Sequence, residues 1–275
     1  MLNTFDRTGG VMKRRITAGA IEATLHEAGT REAAVVFFPS LVAGAWMWDS
    51  VLQEMLNAGV TCLVIEEAFA TITTRGRCLT PLTDALCQLM RAAGSFRYIA
   101  FGNSIAGLVA LDAATRYQDL LCGVVASGVP GLGEGVHYEI RNKRKPSEAD
   151  GWDVANKLFH DKNLIAKHDI VPRSLPYFQN RKHFANIVRY LLTVRRVDTR
   201  AILAAVQCPV MLIWGAEDRV APVEPWRQLA KQNSNLILSV IPNCGHSPMI
   251  EQPSRFSEES VPFVADLMKM SFASP

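Results

Sequence analysis

The sequence predicts an α/β fold, a doubly wound and mostly parallel sheet with one helical insertion. Short apolar runs alternate with helical segments along the first 132 residues and again after residue 200. This alternation is typical of a parallel sheet with helices on both faces. From residue 133 to 199 the pattern is helical, polar and basic, which indicates a separate unit inserted into the sheet domain.

The predicted strands are unbroken apolar runs, which suit strands buried on both faces. Two opening segments, 14–20 and 21–27, are interpreted as an antiparallel hairpin. The insertion is expected after the sixth strand of the chain. The strands that follow the hairpin are predicted at 33–38, 60–65, 96–101, 120–126, 209–214 and 236–241.

The helices are expected between these strands, and Gly59 and Gly94 are placed to end the first two. Residues 1–132 and 200–275 are assigned to the core domain, and residues 133–199 to a helical cap. From residue 133 to 200 there are 14 Lys and Arg against 8 Asp and Glu, whereas the remainder has 15 against 18. The predicted helices of the core span 46–57, 81–93, 105–116, 224–232 and 253–270.

Composition and charge narrow the classes of function. The chain has 275 residues, of which 49% are hydrophobic and 20% charged, an ordinary globular composition. Its formal net charge of +3 is too small to indicate a nucleic-acid partner. The longest apolar stretch, 33–48, is interrupted by Pro39, Ser40 and Gly44 and is too short to span a bilayer. We therefore expect neither a nucleic-acid nor a membrane partner.

The six cysteines give no sign of a metal site, because they form no C-x-x-C pair and have no histidine spacing typical of zinc. Several lie in apolar runs, where a free thiol packs as a small hydrophobic group. The first residues lack the basic-then-apolar layout of a signal peptide. These observations predict reduced thiols in a cytoplasmic protein.

The segment 102–107, Gly-Asn-Ser-Ile-Ala-Gly, lies between a predicted strand and a predicted helix. Such an abrupt turn needs small residues beside it and lifts a serine hydroxyl above the sheet. Ser104 then lies at the helix amino terminus, where the backbone N–H of Ile105 can stabilise an oxyanion. Ser104 is predicted to be a nucleophile, although Ala106 stands where this motif usually has glycine. The alternative is a serine in an ordinary glycine-rich turn.

A serine hydroxyl is a poor nucleophile until a base removes its proton, so a histidine and an orienting carboxylate are required. His246 is selected among six histidines because it lies in the loop after the last predicted strand. The carboxylate is expected after the preceding strand, where Glu217 and Asp218 are adjacent. Asp218 is predicted, with Glu217 as the alternative. The chain order Ser104, Asp218, His246 differs from that of other common triads.

Three segments carry a family resemblance: the serine turn at 102–107, Trp-Gly-Ala-Glu-Asp at 214–218, and Cys-Gly-His-Ser-Pro-Met-Ile-Glu-Gln-Pro at 244–253. Together they resemble the α/β-hydrolase superfamily over almost the whole chain, from about residue 14 to 270. The Gly-Asn-Ser turn is also similar to that of carbon–carbon-bond hydrolases acting on products of aromatic-ring cleavage. Those enzymes usually have tryptophan directly after the histidine, where this chain has Ser247.

The same resemblance implies an oxyanion hole with a local departure. In the family, the strand at 33–38 usually ends in His-Gly, and the next backbone N–H forms half of the hole. This chain has Pro39 and Ser40 there, so the predicted donors are the backbone N–H groups of Ile105 and Leu41. Trp48 supports this register, because many relatives have tryptophan at the same distance from that histidine.

The predicted function is hydrolysis of an ester or thioester of a small or medium apolar acyl substrate through an acyl-enzyme, with no cofactor or metal. A basic run, 141–145, raises the further prediction of a carrier-protein or coenzyme A phosphate arm, against the alternative of a solvated surface. Two other functions remain open. One is carbon–carbon bond cleavage by the same three residues. The other is ligand binding with weak catalysis, which the altered Pro39 and Ser40 keep open.

Overall fold

A computed structural model of the chain describes residues 6–8, 11–18, 21–28, 34–73, 78–94, 97–132 and 146–272. The strands of these residues form one nine-stranded sheet in the order β1-β2-β3-β5-β4-β6-β7-β8-β9. They are Asp6–Thr8 (β1), Val11–Ala18 (β2), Ile21–Ala28 (β3), Val35–Phe37 (β4), Cys62–Ile65 (β5), Tyr98–Asn103 (β6), Leu121–Ser127 (β7), Val210–Gly215 (β8) and Leu236–Ile241 (β9).

Strands β4 to β9 pair in parallel, and the three opening strands pair antiparallel with their neighbours. The predicted doubly wound, mostly parallel sheet is therefore confirmed. The prediction that the insertion follows the sixth strand is corrected in its count, because seven described strands precede residue 133. The additional strand β1, Asp-Arg-Thr, has no apolar side chain, and only its backbone pairing with β2 defines it.

The helices begin and end close to the predicted residues. A 3₁₀ turn, Ala45–Trp48, precedes α1, and a second, Phe69–Thr71, follows β5. The α-helices are Asp49–Asn57 (α1), Thr80–Ala93 (α2), Ile105–Arg116 (α3), Glu148–Leu158 (α4), Asn163–Lys167 (α5), Ile170–Gln179 (α6), Arg181–Val194 (α7), Thr199–Ala205 (α8), Glu224–Gln232 (α9), Pro248–Glu251 (α10) and Pro253–Phe272 (α11).

Strands β4 to β8 are buried on both faces, as their apolar sequences predict. In β4 and the residue after it, Val36 and Phe38 pack into one core cluster, with side chains of α2 and α3. The alternate residues Val35 and Phe37 pack into a second cluster, with side chains of α1 and α11. Because successive side chains of a strand point to opposite faces, the two clusters lie on opposite sides of the sheet.

Helices α4 to α7 form the described part of the predicted cap. Two buried side chains of α7 fix it to the loop after β5. The amide nitrogen of Asn186 donates to the carbonyl oxygen of Ala70 at 2.9 Å, and the Tyr190 hydroxyl donates to that of Ile72 at 2.8 Å. Residues 133–145 lie outside the described residues. The predicted start of the cap and its basic residues Arg141, Lys143, Arg144 and Lys145 therefore stay predictions.

No helix in the described ranges is long and apolar enough to cross a membrane. In the same ranges, His, Cys, Asp and Glu form no group of three that would bind a metal ion. All six cysteines are free thiols.

Candidate active site

The turn between β6 and α3 holds Ser104 in a strained backbone conformation, with φ 58° and ψ −125°. Such a positive φ is uncommon for a residue other than glycine and requires support from the surrounding structure. A Cβ atom at Gly102 would lie only 2.5 Å from the carbonyl carbon of Ala106, so a larger residue there would force the strand and helix apart. At Gly107 a Cβ would lie 2.8 Å from Val129. The predicted small residues thus permit the turn, and the Ala106 methyl is accommodated in the core.

The loops after β8 and β9 bring Asp218 and His246 together. Asp218 Oδ2 lies 2.8 Å from His246 Nδ1, and both side chains are buried. The other carboxylate oxygen, Oδ1, accepts hydrogen bonds from the backbone N–H groups of Val220 and Ala221, each at 2.9 Å. Asp218 is therefore held by its own loop while it orients the imidazole.

Glu217, the alternative carboxylate, points elsewhere. Its Oε2 accepts a hydrogen bond from the backbone N–H of Cys244 at 2.8 Å, and its own N–H donates to the Cys244 carbonyl oxygen at 3.0 Å. Glu217 thus ties the loop after β8 to the loop that carries His246. The geometry favours Asp218 as the orienting carboxylate.

Two further residues position His246 and were not identified from the sequence. The amide nitrogen of Asn103, next to Ser104, donates to the His246 carbonyl oxygen at 2.9 Å. Gly128, with φ 57°, lies against the ring, because a Cβ built there would lie 2.6 Å from His246 Cε1. Both contacts join residues more than a hundred positions apart. The one signal for Asn103 was its place in the Gly-Asn-Ser turn.

Glu251 connects the loop that carries His246 to the helical segment formed by α4 to α7. One oxygen of its buried carboxylate accepts from the Gly245 N–H at 2.9 Å. The other oxygen accepts from the backbone N–H groups of His160 and Asp161, at 2.7 and 3.2 Å, in the loop after α4. Burial raises the pKa of this carboxyl, and the backbone N–H groups that it accepts from act in the opposite direction. The backbone N–H of His246 also donates to the Leu158 carbonyl oxygen, at 2.7 Å.

Ser104 and His246 line the same cavity, but their side chains make no direct hydrogen bond in this structure of the described residues. Catalytic hydrogen bonds are often long without substrate and shorten when it binds. The site therefore has an oriented histidine and a partly buried serine on one wall, with space for a substrate beside them.

The predicted oxyanion donors also line this cavity. Ile105 is the first residue of α3, and the N–H groups of a first helical turn have no acceptor within the helix. The loop of Leu41 is fixed by Ser40, whose hydroxyl accepts from the Ala43 N–H at 3.0 Å, and by the Leu41 carbonyl, which accepts from the Ala70 N–H at 2.9 Å. The Leu41 N–H itself has no acceptor among the described residues.

The alignment of Pro39, Ser40 and Leu41 with the family's oxyanion loop, which Trp48 supported, has a physical basis. Its indole nitrogen donates to the carbonyl oxygen of Phe38, at 2.9 Å, at the end of β4. Trp48 is fully buried and packs against Phe37 with ring centroids 5.1 Å apart. The loop that carries Leu41 thus begins from a fixed strand end.

The cavity is bounded on one side by Ser104, His246 and their loops and on the other by helices α4 to α7. Its described lining contains no Lys, Arg, Asp or Glu side chain, so it offers no charge to a bound molecule. Ser174 is the one polar residue that the described helices α4 to α7 contribute. The apolar lining residues of these helices, together with Phe159 directly after α4, are Val154, Leu158, Ile170, Phe178, Ile187 and Leu191.

The sheet, the serine turn and the Asp–His pair define a protein of the α/β-hydrolase class. The sequence matches the alpha/beta hydrolase family over residues 35–259, and the chain belongs to that family.

Three known proteins illustrate the range of its relatives. A 2-hydroxy-6-oxo-6-phenylhexa-2,4-dienoate hydrolase from Burkholderia cepacia is 25% identical over 196 residues, which cover 66% of this chain and 68% of the relative. The solved meta-cleavage product hydrolase of Pseudomonas fluorescens has a TM-score of 0.75 at 17% identity, covering 92% of this chain and 97% of that one. A thermophilic esterase from Thermogutta terrifontis has a TM-score of 0.71 at 18% identity, covering 93% and 98%. At these identities the structural likeness shows the fold alone.

Proposed function

We propose that this hydrolase cleaves uncharged, apolar carboxylic esters through Ser104, His246 and Asp218. The observation that carries the proposal is the pairing of His246 with Asp218 at 2.8 Å on the wall of a cavity that also contains Ser104. An imidazole held through Nδ1 presents its Nε2 to a serine hydroxyl. This arrangement suits a general base for acyl transfer.

The reaction follows from these positions. Ser104 Oγ attacks the ester carbonyl carbon while its proton passes to His246 Nε2. The oxygen of the tetrahedral intermediate receives hydrogen bonds from the backbone N–H groups of Ile105 and Leu41. The C–O bond of the ester then breaks, and the alcohol leaves with the proton from His246. Water, deprotonated by the same histidine, attacks the acyl-enzyme and releases the acid and free Ser104.

The uncharged lining supports an ester over the dienoates named for several relatives. A carboxylate moved into this cavity would lose its hydration without gaining a cationic partner from the described residues, which is costly. An apolar acyl group gives up no hydrogen bonds to water when it enters the cavity, and the burial of its surface is favourable. The proposed thioester alternative, with a phosphate arm held outside the cavity, depends on residues 141–145.

Carbon–carbon bond hydrolysis is the second candidate, supported by the relative from Burkholderia cepacia and by the Gly102, Asn103, Ser104 sequence that it resembles. The same serine and histidine would act on a keto group, so the two candidates differ in the substrate and not in the site.

A fluorophosphonate probe followed by mass spectrometry tests the nucleophile, with Ser104→Ala as the control. We expect labelling at Ser104 and a loss of turnover on the order of 10⁴-fold or more in the variant, with little change in Tm. The specificity is then measured as kcat/KM for p-nitrophenyl hexanoate and for 2-hydroxy-6-oxo-6-phenylhexa-2,4-dienoate. A large preference for the dienoate would replace the ester proposal by the second candidate. An unlabelled Ser104 would favour a binding protein.

A further inference from the structure

One face of helix α6 lines the cavity through residues four positions apart, Ile170, Ser174 and Phe178. Residues at this spacing share one side of a helix. The two outer positions are apolar, and the middle one is a serine that is 8% exposed. An apolar residue at 174 would complete the stripe, so the hydroxyl stands out against its surroundings.

The Ser174 hydroxyl has no hydrogen-bond partner within the part of the chain that the structure describes. Two buried threonine hydroxyls inside other helices bond to the carbonyl oxygen four residues earlier, whereas the buried hydroxyls of Ser257 and Ser260 in α11 have no partner among the described residues and lie away from the cavity. Thr193 donates to Arg189 at 2.9 Å and Thr83 to Leu79 at 3.3 Å. Ser174 makes no such bond to Ile170 and is directed instead into the cavity that holds Ser104.

The other polar lining residues already have roles on the catalytic wall. The Ser40 hydroxyl accepts from Ala43, and the Asn103 amide donates to His246 and Ser127. Ser247 is the exception, because its hydroxyl also has no partner among the described residues, but it follows His246 directly and lies on the same side as the catalytic groups. Ser174 therefore stands alone on the opposite side, where a bound acyl chain would lie against the helical segment.

We propose that Ser174 determines specificity by binding an uncharged oxygen on the acyl chain, away from the scissile carbonyl. This inference rests on the proposed function and names its substrate class, esters of oxo- or hydroxyacyl groups on an otherwise apolar chain. The Ser174 hydroxyl has no partner among the described residues, and a substrate oxygen of matching position would supply one inside an otherwise apolar wall. The uncharged lining excludes a carboxylate or phosphate at this point, because no described cation would accompany it.

The test compares p-nitrophenyl heptanoate with its 4-oxo, 5-oxo and 6-oxo derivatives, which move one carbonyl oxygen along a chain of constant length. We expect the wild-type protein to prefer one oxo isomer over heptanoate in kcat/KM. In Ser174→Ala that preference should fall about fivefold, as one uncharged hydrogen bond predicts. A wild type without preference among the isomers, or a variant that retains it, would overturn the proposal.

Thr193→Val is the matched control, since it removes a buried hydroxyl of the same helical segment whose bond is internal. The preference should survive in this variant, and an equal loss in both would show a purely structural effect of removing a hydroxyl.

A binding measurement separates this proposal from the proposed function. The anilides of heptanoic acid and of the three oxoheptanoic acids are titrated calorimetrically into wild-type and Ser174→Ala protein. If no ester is turned over, the proposed function fails, but a fivefold weaker binding of one oxo anilide to the variant would still support the role of Ser174. Equal affinities of the two proteins for every anilide would reject it.

Discussion

The two walls of the cavity are built by different means. On the catalytic wall, His246 is held by hydrogen bonds between loops that are distant in the sequence, in the pairs Asp218–His246 and Asn103–His246. On the opposite wall, α4 to α7 contribute apolar side chains and the single hydroxyl of Ser174. From this comparison we expect hydrogen bonds between loops to position the reacting groups, and the apolar side chains with the Ser174 hydroxyl to select the substrate. Variants on the first wall should therefore change kcat, and those on the second should change the order of substrates.

The largest effect is expected from Asp218→Asn. The asparagine oxygen can still accept from Val220 and Ala221, which places its NH₂ group opposite His246 Nδ1. That group donates a hydrogen bond to an unprotonated Nδ1, so the ring hydrogen lies on Nε2, which then cannot accept a proton from serine. We expect kcat to fall about 10⁴-fold.

Glu217→Gln is its matched control, because a glutamine oxygen still accepts from the Cys244 N–H. Its kcat should stay close to that of the wild type. Equal losses of kcat in the two variants, measured on the same ester, would show that Asp218 is not the carboxylate that orients His246.

The next effect is expected from Gly128→Ala, because the new methyl group would lie within 2.7 Å of two atoms of the His246 ring. Displacing a catalytic group by about 1 Å can cost about 100-fold in rate. Gly59→Ala has the same kind of backbone strain, with φ 77°, and nothing within 4 Å of its Cβ. Both variants should lose stability, measured as Tm, but only the first should lose kcat. Similar activities of the two would show that the ring tolerates the displacement.

The sequence predicted the elements that depend on local physics. Apolar runs predicted the buried strands, and Gly94, with φ 100°, ends α2 where expected because glycine adopts this conformation without strain. Ser104 was identified because its turn needs small neighbours at adjacent positions. These features require only a few consecutive residues.

The rest depends on tertiary contacts that no local pattern encodes. Glu217 and Asp218 are adjacent, and only the conformation of the loop decides which carboxylate reaches His246. The role of Gly128 requires a contact with a residue 118 positions later in the chain. The Ser174 hydroxyl had a weak signal, a polar residue in the apolar stripe of α6, but the stripe lines a cavity only once α6 packs over the loops that carry Ser104 and His246.

Glu251 joins the two walls, so its replacement should affect stability more than chemistry. In Glu251→Gln, an NH₂ group would replace one of two oxygens that accept from backbone N–H groups of Gly245, His160 and Asp161. Unpaired buried donors cost free energy, and we expect the free energy of unfolding to fall by about 2 kcal/mol. Glu54→Gln, at an exposed position of α1, should leave denaturant unfolding unchanged. An unaltered midpoint in Glu251→Gln would show that the two walls are not joined through this carboxylate.

The smallest effect is expected on the second wall, from Leu191→Ala. Leu191 lines the cavity, whereas its neighbour Leu192 is 47% exposed, so Leu192→Ala removes the same atoms without enlarging the site. Each methylene of an acyl chain that enters the new space should gain about 0.8 kcal/mol, or roughly fourfold in kcat/KM. Leu191→Ala should therefore favour longer p-nitrophenyl esters than the wild type does, with kcat on short esters little altered. If both variants, or neither, change the order of chain lengths, the acyl group does not lie against α7, and the division of roles between the two walls fails.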